Sequence, residues 1–259
     1  MISQLSISRR KALARLKTSR QRRQEGLFLI EGDKSVRQTL GLYECVAVVA
    51  TSKWFESNPD IFSPTTELLQ ARGEDMRAVS SLSTPPDVIA VCRIPQQSFD
   101  ESELADSLAV ALDGVQDPGN FGTIIRTCNW FGIRTILCSH DCVDLYNPKT
   151  VQSTMGALGG VKVVYTDLVA LLKMHPEINV FGTFLDGENI YKTSLPKTGV
   201  IVMGSEGHGI SDELARTVNK RLYIPPGNRP AGCEQVESLN VAIATAIVLS
   251  QFQNSLING

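Results

Sequence analysis

Apolar positions along this chain follow two regimes that change near residue 105. In the first hundred residues, short apolar runs alternate with polar stretches of helical period. Residues 8–23 place Leu13 and Leu16 as a thin apolar stripe on an otherwise charged helix, and QEGLFLIEG (24–32) is a short apolar strand bounded by glycines. A helix restarts over 34–40 after Gly32, and CVAVVA (45–50) has the unbroken apolar pattern of a buried strand. Val79 falls in a short segment before the turn STPP (83–86), and VIAVCRI (88–94) is a further strand. This alternation predicts a small α/β domain over 1–95, followed by a polar, acidic linker at 96–104.

Beyond the linker the pattern becomes strand, glycine-containing turn, helix, repeated over 105–259. The predicted strands are 109–115, 135–139, 161–166, 179–185, 199–205 and 221–225. Near-continuous apolar strands of this kind belong to a parallel sheet covered on both faces by helices. Residues 237–255 read as a last helix, apolar almost all round, which calls for burial against another surface such as a second subunit. The fold class expected is therefore α/β in two domains, the second built on a parallel sheet.

Composition narrows the picture without deciding it. At 259 residues, 42% hydrophobic and 20% charged, the chain has the profile of a globular rather than a disordered protein. No apolar run approaches the roughly 20 residues of a membrane-spanning helix. The basic N-terminus lacks the apolar stretch of a signal peptide, so a cytoplasmic location is expected. Six scattered cysteines, mostly inside apolar runs, suit reduced core thiols. Only CSHDC (138–142) has the look of a ligand cluster, but zinc needs further donors at suitable spacing, and no metal is expected.

The net charge of −2 conceals an asymmetry. Residues 1–37 hold ten Lys/Arg against three acids, net +7, and the remaining 222 hold fifteen against twenty-four, net −9. Eight of those cations fall within 9–23. A solvated helix face is one reading. A polyanion partner is the other, with Arg9, Arg10, Lys11, Arg15, Arg20, Arg22 and Arg23 as candidate RNA phosphate contacts.

Three segments carry chemistry. In DPGNFGTIIRTCNWFG (117–132) a strand ends and a helix begins near Asn120, which would serve simply as its N-cap. Arg126, six residues on, lies between Ile125 and Thr127 and must reach solvent or an anion. IVMGSEGHGIS (201–211) follows a strong strand with a glycine-rich turn that is neither a dinucleotide fingerprint nor a Walker loop. ESLNVAIATAIVL (237–249) opens the last helix, with Ser238 as its candidate cap and Asn240 as an amide needing partners in an apolar first turn.

In this order the three segments resemble the signature motifs of the SpoU (TrmH-like) RNA ribose 2'-O-methyltransferases of the SPOUT superfamily. The resemblance covers essentially the whole chain, with QEGLFLIEG as the landmark of a substrate-binding domain ahead of the catalytic one. It implies a trefoil knot in the C-terminal domain, a homodimer, S-adenosylmethionine as cofactor, and methyl transfer to a ribose 2'-hydroxyl of structured RNA. It also implies a catalytic set of Asn120, Arg126, Glu206, Ser238 and Asn240. The implied cofactor contacts are Gly204, Ser205, Gly207, Gly209, Ile224, Pro225, Ser238 and Leu239. One departure is the loop 224–237, several residues longer than the family's usual link, which carries Arg229 as either a solvated arginine or a phosphate contact.

A guanidinium is a poor base, so Arg126 is expected to grip a neighbouring phosphate while the hydroxyl proton leaves through phosphate or water. Ribosomal RNA is favoured as substrate by the separate N-terminal domain. A tRNA 2'-O-methyltransferase and a non-catalytic RNA-binding protein that kept the fold are the alternatives.

Overall fold

The computed structural model describes residues 1–258 except Asp60, Gln97 and 229–235, with side chains omitted for 256–258. Arg229 and Cys233 therefore lie outside the described residues. The chain forms two compact units, Met1–Gln97 with Asp144–Gly159, and Ser98–Val143 with Gly160–Gly259. The segment Asp144–Gly159, which the sequence pattern grouped with the second domain, thus packs with the first.

The first unit contains β1 (Ile2–Gln4), α1 (Ile7–Arg15), α2 (Ser19–Glu25), β2 (Leu27–Glu31), α3 (Asp33–Thr39), β3 (Cys45–Ala50), α4 (Ser52–Ser57), β4 (Glu67–Gln70), α5 (Gly73–Val79) and β5 (Val88–Arg93). Its five strands are ordered β1-β4-β3-β5-β2. The unbroken apolar run of β3 sits at the centre, parallel to β4 and antiparallel to β5. Leu13, Leu16, Val49, Met76, Val79 and Ile89 close the core on one side. Val79 is thus the last residue of a helix, α5, and not part of an isolated segment.

The single helix expected over 8–23 is two. Leu16 ends α1, and Thr18 begins α2 by accepting from the Gln21 N–H through Oγ1. A β-branched hydroxyl residue favours that cap over a helix interior. The break leaves the Leu16 and Lys17 carbonyls without helical donors, and Arg22 Nη1 donates to both at 2.9 Å. Its Nε and Nη2 donate to Asp144 Oδ2 at 3.1 and 2.5 Å. Arg22 is 2% exposed and Asp144 22%. A guanidinium so enclosed is not available to a phosphate, which corrects its place among the RNA contacts.

The second unit contains β6 (Leu108–Asp113), α6 (Pro118–Trp130), β7 (Thr135–Cys138), β8 (Lys162–Tyr165), α8 (Leu168–Met174), β9 (Val180–Asn189), β10 (Gly199–Gly204), α9 (Asp212–Ala215), β11 (Lys220–Tyr223) and α10 (Val241–Asn258), while α7 (Pro148–Ser153) belongs to the first. All its strands are parallel, in the order β11-β9-β10-β6-β7-β8. The chain lays down β6, β7 and β8 in one direction, then crosses to the other side of β6 for the rest. Ligands in open parallel sheets bind beyond the carboxyl ends of strands at such a reversal, here between β6 and β10. All three motif segments follow the carboxyl ends of β6, β10 and β11.

The last helix starts at Val241, later than expected. It packs on α6 and β10, and Phe252 meets Phe181 edge-on at 5.2 Å. Ile243 remains 53% exposed. Among the described residues no helix is long and apolar enough to cross a membrane.

Asp144→Ala would leave the Arg22 charge buried with only two carbonyls. We expect a loss of about 3 kcal/mol in chemical denaturation, against a change within about 0.5 kcal/mol for the exposed Lys11→Ala.

Candidate active site

Each motif segment is anchored by its own backbone before its side chains meet. At the head of α6 the N-cap is Asp117, whose Oδ1 accepts from the Asn120 N–H at 2.8 Å, with Pro118 in the first turn. This corrects the capping role expected for Asn120 and frees its amide side chain. After β10 the chain doubles back at 205–209. The Ser205 N–H donates to the Gly209 carbonyl at 3.0 Å and the Gly209 N–H to the Ser205 carbonyl at 2.9 Å. A Cβ on Gly204 would overlap the Gly209 backbone, so only glycine allows this close return. At the head of α10 the cap is Asn240, not Ser238. Asn240 Oδ1 accepts from the Ala242 and Ile243 N–H groups at 3.0 and 3.3 Å.

Capping fixes which way the Asn240 amide points, because its oxygen is committed to the helix. Its Nδ2 then donates to Asn120 Oδ1 at 3.0 Å and to Glu206 Oε1 at 2.5 Å. Asn120 Nδ2 donates to the same Glu206 oxygen at 2.7 Å. One carboxylate oxygen therefore ties together the segments after β6, β10 and β11. An ionised carboxylate only accepts, so both amides must present their nitrogens to it.

Beside this cluster lies a cavity of about 380 Å³. Of the residues named for the cofactor, Gly204, Ser205, Gly207, Gly209, Ile224, Ser238 and Leu239 line it and Pro225 does not, and Glu206 lines it as well. The sequence reading missed the wall from β9 (Thr183, Phe184, Leu185), together with His208, Tyr223 and Glu237. The signal for the β9 wall was the end of its pairing with β10 at Gly182, just before Thr183, which strand pairing reveals and local pattern does not.

Residues 107–250 match the family model described as the SpoU rRNA Methylase family. The chain belongs to that family. Residues 8–90 also match a model described as the MRM3-like substrate binding domain. The chain is 30% identical over 243 residues to the 23S rRNA (guanosine(2553)-2'-O)-methyltransferase RlmP of Bacillus subtilis, covering 91% of this chain and 92% of that protein. A TrmH-family protein from Porphyromonas gingivalis superposes with a TM-score of 0.86 at 36% identity, over 97% of this chain and 99% of that one. An AdoMet-bound rRNA methyltransferase from Sinorhizobium meliloti does so with a TM-score of 0.84 at 25% identity, over 99% and 98%.

S-adenosylmethionine, the cofactor of SpoU methylases, fits the donor set of the cavity. Leu222, Ile224, Leu239 and Val241 offer apolar wall for a base, and the glycine loop presents backbone at close range. The carboxylates of Glu206 and Glu237 suit a cationic ligand.

Arg126 is exposed on α6, and among the described residues it makes no ion pair. At the other motif, CSHDC, both thiols are core: Cys138 is fully buried, Cys142 is 7% exposed, and His140 points to solvent. Hydrogen bonding from Cys138 lowers the Cys142 thiol to about 7 despite burial, while burial drives Cys138 well up. Among the described residues no three His, Cys, Asp or Glu side chains converge as metal ligands.

Gly204→Ala is expected to cost roughly 3 kcal/mol or more and to abolish cofactor binding, because the obstruction is backbone. Gly207→Ala meets nothing within 4 Å and should fold within about 0.5 kcal/mol of the parent. Calorimetric titration and thermal melts of the two variants check the contrast.

Proposed function

We propose that the chain transfers a methyl group from S-adenosylmethionine to a ribose 2'-hydroxyl in structured RNA, with ribosomal RNA as the substrate. The observation that carries this reading is the joining of all three motif segments at Glu206 Oε1, on the wall of a cavity at the sheet's reversal. The likeness to the Bacillus subtilis 23S rRNA enzyme spans the N-terminal unit as well and supports ribosomal RNA over tRNA. A protein that only binds RNA has no use for two amides locked onto one carboxylate beside a nucleoside-sized cavity.

S-adenosylmethionine, when bound, supplies an electrophilic methyl group. The chain's own residues do the rest. The loop 204–209 and Ser238–Leu239 hold the ligand, while Asn120 and Asn240 fix the carboxylate and so the relative placement of the three loops. Arg126, exposed and unpaired among the described residues, grips the phosphate next to the target ribose and stabilises charge there.

The first unit acts as the RNA-binding domain in this proposal, and the structure sorts its cations. Arg9 and Arg10 pair with Glu67 and Asp75, each at 2.7 Å. Lys11, Arg15, Arg20 and Arg23 are exposed and, among the described residues, make no ion pair. Lys11 and Arg15 stand four apart on α1, and Arg20 and Arg23 three apart on α2, so each helix offers a pair on one face. A homodimer, a cytoplasmic location and a trefoil knot are part of the same reading. The exposed apolar side chains of Leu239 and Ile243 at the head of α10 support the dimer, and sedimentation at the mass of a single chain would contradict it.

With labelled S-adenosylmethionine and bulk RNA separated afterwards, label should enter the ribosomal fraction, and Arg126→Ala should abolish it. Label confined to tRNA would move the substrate class, and tight RNA binding with no label would favour the binding-only alternative. Arg126→Lys keeps charge but not the two-pronged grip and should lose most of the rate while RNA binding survives. Alanine at Lys11, Arg15, Arg20 and Arg23 together should flatten the salt dependence of RNA binding by a slope of roughly three, at about 0.7–0.9 per phosphate. Arg9→Ala should leave that slope unchanged.

A further inference from the structure

We propose that Cys45 and Cys92 form a reversible disulfide across the centre of the first unit's sheet when the protein meets a peroxide. None of the residues lining the cofactor cavity belongs to that unit, so the pair has a chemistry of its own, independent of the methyltransferase reading.

Strand register sets the pair. β3 and β5 run antiparallel, and Cys45 stands directly opposite Cys92. The Arg93 N–H donates to the Glu44 carbonyl at 2.9 Å, which makes Glu44 and Arg93 a hydrogen-bonded pair of the ladder. Hydrogen-bonded and non-hydrogen-bonded pairs alternate, so Cys45 and Cys92, one step on, form a non-hydrogen-bonded pair. Cα atoms in such pairs lie about 4.5 Å apart with their side chains close together, inside the span of about 4.4–6.8 Å that a disulfide bridges. The register shift falls between Cys45 and Ala47 and leaves this opposition intact. The two thiols already share a hydrogen bond.

Access and reactivity are divided between them. Cys45 is half-buried and Cys92 is 4% exposed. Phe28 lies opposite Cys92 on β2, fully buried, and meets Tyr43 edge-on at 5.2 Å, which closes that side. Cys45 is therefore the sulfur that an oxidant reaches, and Cys92 the one that resolves. The hydrogen bond from Cys92 holds the Cys45 thiol below its ordinary range, whereas that same bond and burial push Cys92 up. A lowered, accessible thiol beside a resolving one is the arrangement in which sulfur oxidation ends at a disulfide. Cys138 and Cys142 are also hydrogen-bonded to each other. Their exposures are 0% and 7%, so neither sulfur is open to an oxidant.

The step balances. The Cys45 sulfur attacks one peroxide oxygen, the O–O bond breaks, and the products are a sulfenic acid and water. The Cys92 sulfur then attacks the Cys45 sulfur, the S–O bond breaks, and hydroxide leaves with the Cys92 proton as a second water. Two thiols are oxidised and one peroxide is reduced. Both strands are central and already in register, so the bond shifts neither. It closes a loop that carries α4, β4 and α5 and restricts the unfolded chain.

The test treats the reduced whole chain with hydrogen peroxide, alkylates the remaining thiols and maps a digest by mass spectrometry. The Cys45 and Cys92 peptides should appear joined, two hydrogen atoms lighter than their sum, and should separate on adding dithiothreitol. The melting temperature should rise by roughly 5 °C on oxidation and fall back on reduction. Cys92→Ser should leave Cys45 as a sulfenic acid captured by dimedone, with no joined peptide and no rise in melting temperature. The map of the wild-type chain requires no variant, so a serine variant that fails to fold leaves the test in place. Cys45 driven to sulfinic acid while Cys92 stays a free thiol, a link confined to Cys138 and Cys142, or both Cys45 and Cys92 alkylated unchanged would overturn the proposal.

Discussion

Glu206 Oε1 receives two amide N–H groups from residues 86 and 34 positions away in the chain. This shared acceptor is the constraint on which the site depends. Each partner is already committed locally, Asn120 by its position in the first turn of α6 under the Asp117 cap, and Asn240 by capping α10. With the backbone of each placed by a helix end and the carboxylate placed by a glycine turn, the cluster closes without loose ends. The carboxyl ends of β6 and β10 are neighbours in the sheet, paired at Asp113 and Gly204, so the distance that the side chains must bridge is set by strand spacing.

A second division of labour concerns charge. The basic segment looks uniform in sequence, yet its cations do three different things. Arg22 satisfies the carbonyls exposed where α1 gives way to α2, and is neutralised by Asp144. Arg9 and Arg10 tie α1 to the unit's own carboxylates, in half-exposed pairs of the kind that contribute little stability. Lys11, Arg15, Arg20 and Arg23 project outward, so positive potential remains on the surface for a polyanion.

Much of the second unit was legible in the sequence because parallel strands buried on both faces are almost wholly apolar. β10 is buried over five of its six residues, and its bounds were read nearly to the residue. β9 runs on to Asn189, past the predicted end at 185, because its polar tail is held by pairing Glu188 and Asn189 with β11, a long-range contact with no local pattern. The three motifs were legible through resemblance, but their helix caps were not. Asp117 and Asn120, and likewise Ser238 and Asn240, are all good capping types within one turn, and Pro118 in the first turn was the overlooked signal that favours Asp117. Arg22 was misread because its partner is 122 residues distant. The short strands β1 and β4 were missed because each is mostly polar or half-exposed and is defined by its neighbours.

In the proposed function this cluster serves ribose methylation of ribosomal RNA. A 2'-O-methyl group removes the nucleophile of alkaline cleavage, so the modified nucleotide leaves a gap in a hydrolysis ladder. The most direct measurement compares such ladders of ribosomal RNA from cells with and without the gene for this chain. One gap is expected in the parent, filling in on deletion and returning when the wild-type chain is restored. Identical ladders at every ribosomal position would contradict it.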